Sequence, residues 1–397
     1  MDNNEYQLSH HSHECLLAAG AKGSLEASAG DAFDQLRKFS AIHKDWIFGH
    51  FGYDLKNETE HLSSSHPDGI EFPDLFFFIP EIVIDLKKDA IHIGSLKSDH
   101  EEILAEIEGS PVIFPTSFKG IRNTRGKFSK SEYLSTVKEL RSHILRGDCY
   151  EINFCQEFYK EEITMEPLPI YYKLAKLSPT PFAAYYRLRD KYLICASPER
   201  YLKRTGDVLL TQPIKGTWQR NREDSHLDQT NKDNLFHSAK DRSENVMIVD
   251  LVRNDLSKVC EEDSVKVDEL YGIYSFPQVH QMISTVSGKL AKDKNWVALI
   301  EATFPMGSMT GAPKKKVLEL IERYERTKRG LFSGAVGYVT PGGDFDFNVV
   351  IRSILYNQSN QYLSFQTGSG ITFYSQAETE YEECLLKAKA IKKVLEG

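Results

Sequence analysis

Four short β-favouring runs crowd into the middle of the chain: Glu151-Ile-Asn-Phe-Cys-Gln-Glu-Phe, Phe182-Ala-Ala-Tyr-Tyr-Arg-Leu, Tyr192-Leu-Ile-Cys-Ala and Asp207-Val-Leu-Leu. No helical period is read between them. Parallel strands need long, usually helical, crossovers, so a succession of this kind predicts an antiparallel sheet and an α+β fold class. Further strands are expected at Trp46-Ile-Phe-Gly-His-Phe-Gly-Tyr, Asp74-Leu-Phe-Phe-Phe-Ile, Ser264-Val-Lys-Val-Asp and Val279 to Gly288. Leu331 to Thr340 and Phe345 to Leu355 read as a hairpin turning at Pro341-Gly-Gly-Asp344. Helices are predicted over about 130–145, 231–256, 296–304 and 312–326, and a last one from about Ala377.

The run after Asp207 ends in Thr211-Gln-Pro-Ile-Lys-Gly-Thr217, with a lysine held between an apolar residue and a glycine. A solvated lysine has a pKa of about 10.4 and is a poor nucleophile at neutral pH; burial or a nearby cation changes that. Taken alone, Lys215 fits a structural lysine as well as a catalytic one. Ser197-Pro-Glu199 follows another strand, so Glu199 emerges at a strand end, where a solvated carboxylate is the plain alternative to an acid catalyst. Asp241 and Glu244 lie three apart on one predicted helix, and Glu380, Glu383 and Lys387 share a face of the last. Two such acidic faces can offer hard oxygen ligands to Mg²⁺, or be nothing more than solvated stripes. Arg352 sits among apolar residues and needs an anion. The glycines of Thr367-Gly-Ser-Gly-Ile371 let backbone N–H groups approach a ligand.

A net charge of -8 over 397 residues argues against nucleic acid or an anionic membrane as partner. No apolar run approaches the ~20 residues that span a bilayer, and the first residues lack a secretory pattern. The six scattered cysteines contain no C-x-x-C pair, which suits a reducing compartment, and a cytoplasmic location is expected. Lys314, Lys315 and Lys316 read as a solvated helix start, and His10, His11 and His13 as a solvated terminus.

Taken together, Thr211–Thr217, Ser197-Pro-Glu199, the twelve-residue block Glu244–Asp255, Gly330-Leu-Phe-Ser-Gly-Ala-Val-Gly-Tyr338, Gly368-Ser-Gly-Ile371 and Glu380-Tyr-Glu-Glu383 resemble the chorismate-utilising enzymes. The resemblance runs in order from about residue 130 to 393 and more loosely before that. It implies a layered sandwich of two antiparallel sheets with outer helices. It also implies an N-terminal region over 1–115, a connector over 116–131 and a chorismate-binding catalytic region over 132–397. Anthranilate synthases carry Pro-Ile-Ala-Gly-Thr where this chain has Pro213-Ile-Lys-Gly-Thr217, the pattern of the aminodeoxychorismate synthase component I branch.

That branch implies chorismate as substrate, ammonia from a separate glutamine amidotransferase subunit, and Mg²⁺ as cofactor. Lys215 would be the nucleophile and Glu199 the acid. Glu244 and Glu383 would bind the metal, with Asp241 and Glu380 beside them. Thr217, Arg352, Gly368, Ser369, Gly370 and Lys387 would contact substrate. Anthranilate synthase, isochorismate or salicylate synthase, and a non-catalytic chorismate-binding module are the alternatives. Gln281 stands where anthranilate synthases have a histidine linked to pyruvate elimination, and His280, one residue earlier in a strand, should face the other way. The tryptophan-linked Leu-Leu-Glu-Ser motif survives at most as Leu16-Leu-Ala-Ala19, and Phe332 replaces a tyrosine of some salicylate synthases.

Overall fold

The computed structural model describes residues 1–6, 10, 13–111, 120–292 and 294–396. Every strand pair in it is antiparallel, as the crowding of short runs requires. One sheet has seven strands: Gly311–Ala312, Glu151–Lys160, Tyr362–Ile371, Ser353–Asn357, Lys191–Ser197 and Phe182–Leu188 in that order, with Arg125–Gly126 also on Glu151–Lys160. The other has ten. Its order is Ile214–Gln219, Val279–Lys289, Val208–Gln212, Arg200–Thr205, Phe345–Asn348, Ala335–Val339, Ile47–Phe51, Leu75–Ile79 and Gly23–Ala27, with Lys266–Ser275 also on Val279–Lys289. Three N-terminal strands, Ile47–Phe51, Leu75–Ile79 and Gly23–Ala27, thus complete a sheet whose other strands all lie after residue 199. A three-stranded sheet, Cys15–Ala19, Ile82–Lys87 and Ala90–Ser95, is joined to the edge of the seven-stranded one by Asp2, which bridges Cys15 and Ala183.

The seven-stranded sheet is buried on both faces, which is why Tyr192-Leu-Ile-Cys-Ala is continuously apolar rather than alternating. Leu193, Cys195 and Leu355 face the larger sheet, sharing one core with Leu202, Leu209, Phe345 and Phe347. Tyr192, Ile194 and Ile354 point the other way, into a second core. That core is closed by Tyr133, Val137 and Leu140 of the helix Lys130–Leu145, by Val317 and Ile321 of Lys314–Tyr324, and by Cys384 and Ile391 of Ala377–Glu396. Burying each such side chain contributes about 1.5–3 kcal/mol before entropy is counted. The layered sandwich with outer helices is therefore the observed architecture. Among the described residues, no helix is long and apolar enough to cross a membrane.

Several expectations are corrected. The Phe345–Leu355 run is not one strand: Phe345–Asn348 belongs to the larger sheet and Ser353–Asn357 to the smaller, and the chain crosses between them through 349–352. The predicted helix over 231–256 is two, Ser225–His237 and Ala239–Ser257, broken where Ser238 turns extended and its side chain accepts from the Asp241 N–H. A helix, Pro167–Leu177, does intervene between the first two central strands, its Pro at the first turn and Ile170, Tyr171 and Leu174 on its buried face. Ala32–Ile42 and His100–Gly109 are further helices that the loop-like composition hid. Lys314 is not solvated but buried, with Nζ 2.8 Å from Asp255 Oδ2. His13 is bonded to Asp85, the His10 carbonyl accepts from Arg200 and Lys203, and His11 and residues 116–119 of the connector lie outside the described residues.

The chain also crosses between sheets at Ser197-Pro-Glu199, joining Lys191–Ser197 to Arg200–Thr205. The two crossings run side by side, with the Val349 N–H on the Glu199 carbonyl at 3.0 Å and the Ala196 N–H on the Arg352 carbonyl at 3.3 Å. Just beyond, Arg200, 1% exposed, is gripped by Asp346 through two 3.0 Å hydrogen bonds. Asp346→Ala leaves that guanidinium short of its counter-charge and should cost about 3–5 kcal/mol of unfolding free energy in urea. A loss below about 1 kcal/mol would show that Gln212 and the His10 carbonyl suffice to hold Arg200.

Candidate active site

Pro213 has no N–H to give to the ladder after Val208–Gln212, yet Ile214 pairs with the same neighbour in the same register, and the shift comes between Ile214 and Thr217, at Lys215 and Gly216. Lys215 therefore leaves the sheet at its seam. Gly216 follows with φ +91°, and a Cβ there would lie 2.9 Å from Asp241 Cβ and 3.0 Å from a Leu235 methyl. Glycine is what allows the helix Ala239–Ser257 to reach the lysine strand.

The Lys215 side chain is 10% exposed, and its amine donates to Glu151 Oε1 at 2.5 Å. Glu151, 3% exposed, begins a strand of the facing sheet. Burial works against the charge on the amine, but Glu151, and behind it Glu244 and Glu199, outweigh burial and hold Lys215 above the ordinary lysine range. As it stands the side chain is an ammonium. Glu199, 4% exposed at the crossing, has its carboxyl pushed up to about 7 by burial, against the opposing pull of the Ser308 hydroxyl, Lys215 and the Ile214 N–H. The solvated carboxylate alternative is thereby removed. A carboxyl poised there is a proton donor near neutral pH. A small pocket beside it is lined by Glu199 itself with Thr211, Pro213, Met306 and Ser308.

The two acidic helices do converge. Lys240 Nζ lies 3.8 Å from Glu244 Oε1, 3.6 Å from Glu380 Oε1 and 4.0 Å from Glu383 Oε2. Glu380 is 1% exposed, and among the described residues neither of its carboxylate oxygens, nor Glu244 Oε1, has a hydrogen-bond partner. Buried bare carboxylate oxygens call for a cation. Among the described residues no three acidic, histidine or cysteine side chains are grouped so as to hold a metal ion, so the bare oxygens alone mark where a cation would be accommodated. Glu383 is held below the usual carboxylate range although burial opposes this, because Lys387, Lys240 and Lys215 together prevail.

Anion-binding groups stand opposite. Arg352 occupies the second crossing with φ +53°, a left-handed conformation unusual for a side-chain-bearing residue. Burial works against its charge with Glu383 as the opposing influence, and among the described residues it forms no ion pair. Lys387 Nζ is 2.8 Å from both the Gly368 carbonyl and Glu383 Oε1. Gly370 faces Lys215: a Cβ there would lie 2.8 Å from Glu151 Oε1 and 2.9 Å from Lys215 Nζ. Thr217 is exposed two residues beyond Lys215, past the register shift, and is not brought against the other site residues by any contact among the described residues.

Lys215, Glu199, Asp241, Glu244, Glu380, Glu383, Arg352, Gly368, Gly370 and Lys387 accordingly gather at one seam. Ser369 departs from expectation: its side chain is 1% exposed and lies beside Tyr133, on the face away from Lys215, so only its backbone is available to a ligand. His280 faces away as the alternation predicts, bonded to Ser275 at 2.9 Å and Asp228 at 3.1 Å. Two residues of the site went unread, Glu151 and Lys240. A carboxylate opening an otherwise apolar strand was the available signal for the first; a lysine four residues before Glu244 was the signal for the second.

The family described as chorismate binding enzyme matches residues 2–393, so the chain belongs to the chorismate-binding enzymes. Aminodeoxychorismate synthase component 1 of Klebsiella aerogenes is 34% identical over 352 residues, covering 88% of this chain and 77% of that protein. Anthranilate synthase component 1 of Thermus thermophilus is 31% identical over 360 residues, covering 88% and 77%. The crystal structure of anthranilate synthase component I from Streptococcus pneumoniae superposes with a TM-score of 0.83 at 26% identity, covering 98% of this chain and 95% of that one.

Gly216→Ala forces a side chain into a left-handed position and against Asp241. It should lower stability by about 1–3 kcal/mol in thermal or urea unfolding. An unchanged midpoint would mean that the helix Ala239–Ser257 is free to retreat from the lysine strand.

Proposed function

We propose that this protein is the large component of an aminodeoxychorismate synthase, converting chorismate and ammonia to 4-amino-4-deoxychorismate and water for 4-aminobenzoate and folate synthesis. The observation that carries the reading is the placement of Lys215: a buried amine between Glu199 and Glu151, below the acidic helices and across from Arg352. Relatives at 31–34% identity named aminodeoxychorismate synthase component 1 support it. That name also supports a second component, read here as a separate glutamine amidotransferase that delivers ammonia. A cytoplasmic location follows as part of the same proposal.

In this reading Arg352 and Lys387 take the carboxylates of chorismate, and Thr217 and the backbone from Gly368 to Gly370 orient the ring. Glu244 and Glu383 would hold Mg²⁺, with Asp241 and Glu380 beside them; the ion, when bound, neutralises a substrate carboxylate and helps keep Lys215 uncharged. The neutral Lys215 amine attacks C2, both ring double bonds shift along the ring, and the C4 hydroxyl leaves as water with the proton of Glu199. Ammonia then adds at C4 and the C2–N bond breaks, its electrons returning to Nζ. Gln281, with His280 turned away, favours a reaction that stops before pyruvate is lost.

The test is incubation with chorismate, Mg²⁺ and ammonium salts, with the product identified by mass and spectrum. Anthranilate with pyruvate, or isochorismate, as sole product would replace the reading by the corresponding relative's reaction. Lys215→Ala should lower amination by about 10³-fold or more while chorismate binding changes little. Because Glu199 must carry a proton, kcat/KM of the parent should fall as pH rises through a midpoint near its value of about 7. Glu199→Gln should lose about 10²–10⁴ in rate and that limb of the profile with it.

A further inference from the structure

The proposed chemistry needs Lys215 as a free amine, yet the fold holds it as an ammonium. We propose that Glu151 is the proton acceptor that frees it, and that it is a catalytic residue of this site. The inference rests on the reading that Lys215 is the reacting group.

Glu151 touches the reacting atom directly, its Oε1 2.5 Å from Lys215 Nζ. Its other oxygen is buried without a hydrogen-bond partner among the described residues, so nothing but the lysine engages the carboxylate. A carboxylate kept only to stabilise the fold would normally be satisfied at both oxygens, since each bare one costs about 1–3 kcal/mol. The approach is built into the seven-stranded sheet. Gly370 leaves the space the pair occupies, and Gly311, whose Cβ would fall 2.1 Å from the Glu151 carbonyl oxygen, lets the edge strand close on Glu151.

The charged groups that face Lys215 from each packed element are Glu151 on its strand, Glu199 at the crossing, Asp241 and Glu244 on one helix and Glu383 on the other. Glu199 is assigned to the leaving hydroxyl and Glu244 and Glu383 to the cation. Glu151 has no other assignment. In the step proposed, an N–H bond of Lys215 breaks and an O–H bond forms on Glu151 Oε1. The freed lone pair makes the bond to C2, and water leaves C4 with the Glu199 proton. When ammonia has displaced the lysine, the new ammonium returns a proton to Glu199 and Glu151 returns its own to Lys215, so the cycle closes.

Glu151→Gln keeps the shape and removes the acceptor. Without chorismate, brief acetylation over a range of pH, read at Lys215 by peptide mass spectrometry, should show the midpoint of reactivity falling by about one pH unit or more relative to the parent. An unchanged midpoint overturns the proposal. With chorismate, Mg²⁺ and ammonium salts, the same variant should lose about 10²–10⁴ in kcat at neutral pH with KM for chorismate little changed, and the deficit should shrink as pH rises and bulk base removes the proton. A kcat close to the parent's at neutral pH, or a deficit equal at every pH, overturns it as well. If the parent labels as expected but its product is not 4-amino-4-deoxychorismate, the amination reading fails and the acceptor role of Glu151 stands, now measured on that other product.

Discussion

Two backbone segments leave one sheet and enter the other side by side, and everything chemical in this protein hangs on that paired crossing. The chain at Ser197-Pro-Glu199 and the chain at 349–352 hold each other through the Val349 N–H on the Glu199 carbonyl and the Ala196 N–H on the Arg352 carbonyl. Each crossing delivers one charged side chain to the seam, Glu199 from the first and Arg352 from the second. Such a seam is a place where backbone cannot pair as in a strand interior, so side chains there can turn inward without breaking a ladder. Lys215 and Glu151 reach the same point from facing sheets, and the two acidic helices close it from outside.

The cost of this arrangement is electrostatic. Glu151, Glu199, Glu244 and Glu380 are all buried, and carboxylates brought together in a poorly solvated seam repel one another. Hydrophobic residues of the same volume would stabilise the fold as well or better. Lys215 and Lys240 offset part of the repulsion, yet oxygens of Glu151, Glu244 and Glu380 remain without hydrogen bonds among the described residues. Elsewhere the chain satisfies its buried charges: Arg329 grips Glu325 at 2.7 Å and Lys314 holds Asp255 at 2.8 Å. The contrast between settled pairs in the scaffold and unsettled ones at the seam marks where binding energy is kept in reserve.

Much of the site was legible because its chemistry is written in local patterns. The i, i+3 spacing of Asp241 with Glu244 and of Glu380 with Glu383 defines helix faces before any packing is known. Pro213 and Gly216 bracket Lys215 with residues whose backbone limits show in the sequence itself. Glu151 escaped because a single carboxylate at a strand end looks the same whether it meets solvent or a lysine 64 positions later in the chain. Lys240 escaped for a related reason: its partners Glu380 and Glu383 belong to a helix far along the sequence. The break at Ser238 was missed because the polar stretch 237–244 holds no glycine or proline to mark it, and the crossing after Asn348 because the apolar run Val349-Val-Ile351 continues straight through it.

By itself, then, the amino-acid order determined the antiparallel strands, the outer helices, the family and most of the residues that gather at the seam, since propensity, period and glycine and proline placement act over a few residues. Tertiary structure alone decided which strand enters which sheet, that Glu199 is buried and near neutral, that Lys215 is a paired ammonium, and that Ser369 faces the core. Those properties depend on desolvation and on charges brought within a few ångströms from remote positions, and neither quantity exists until the two sheets have closed on each other.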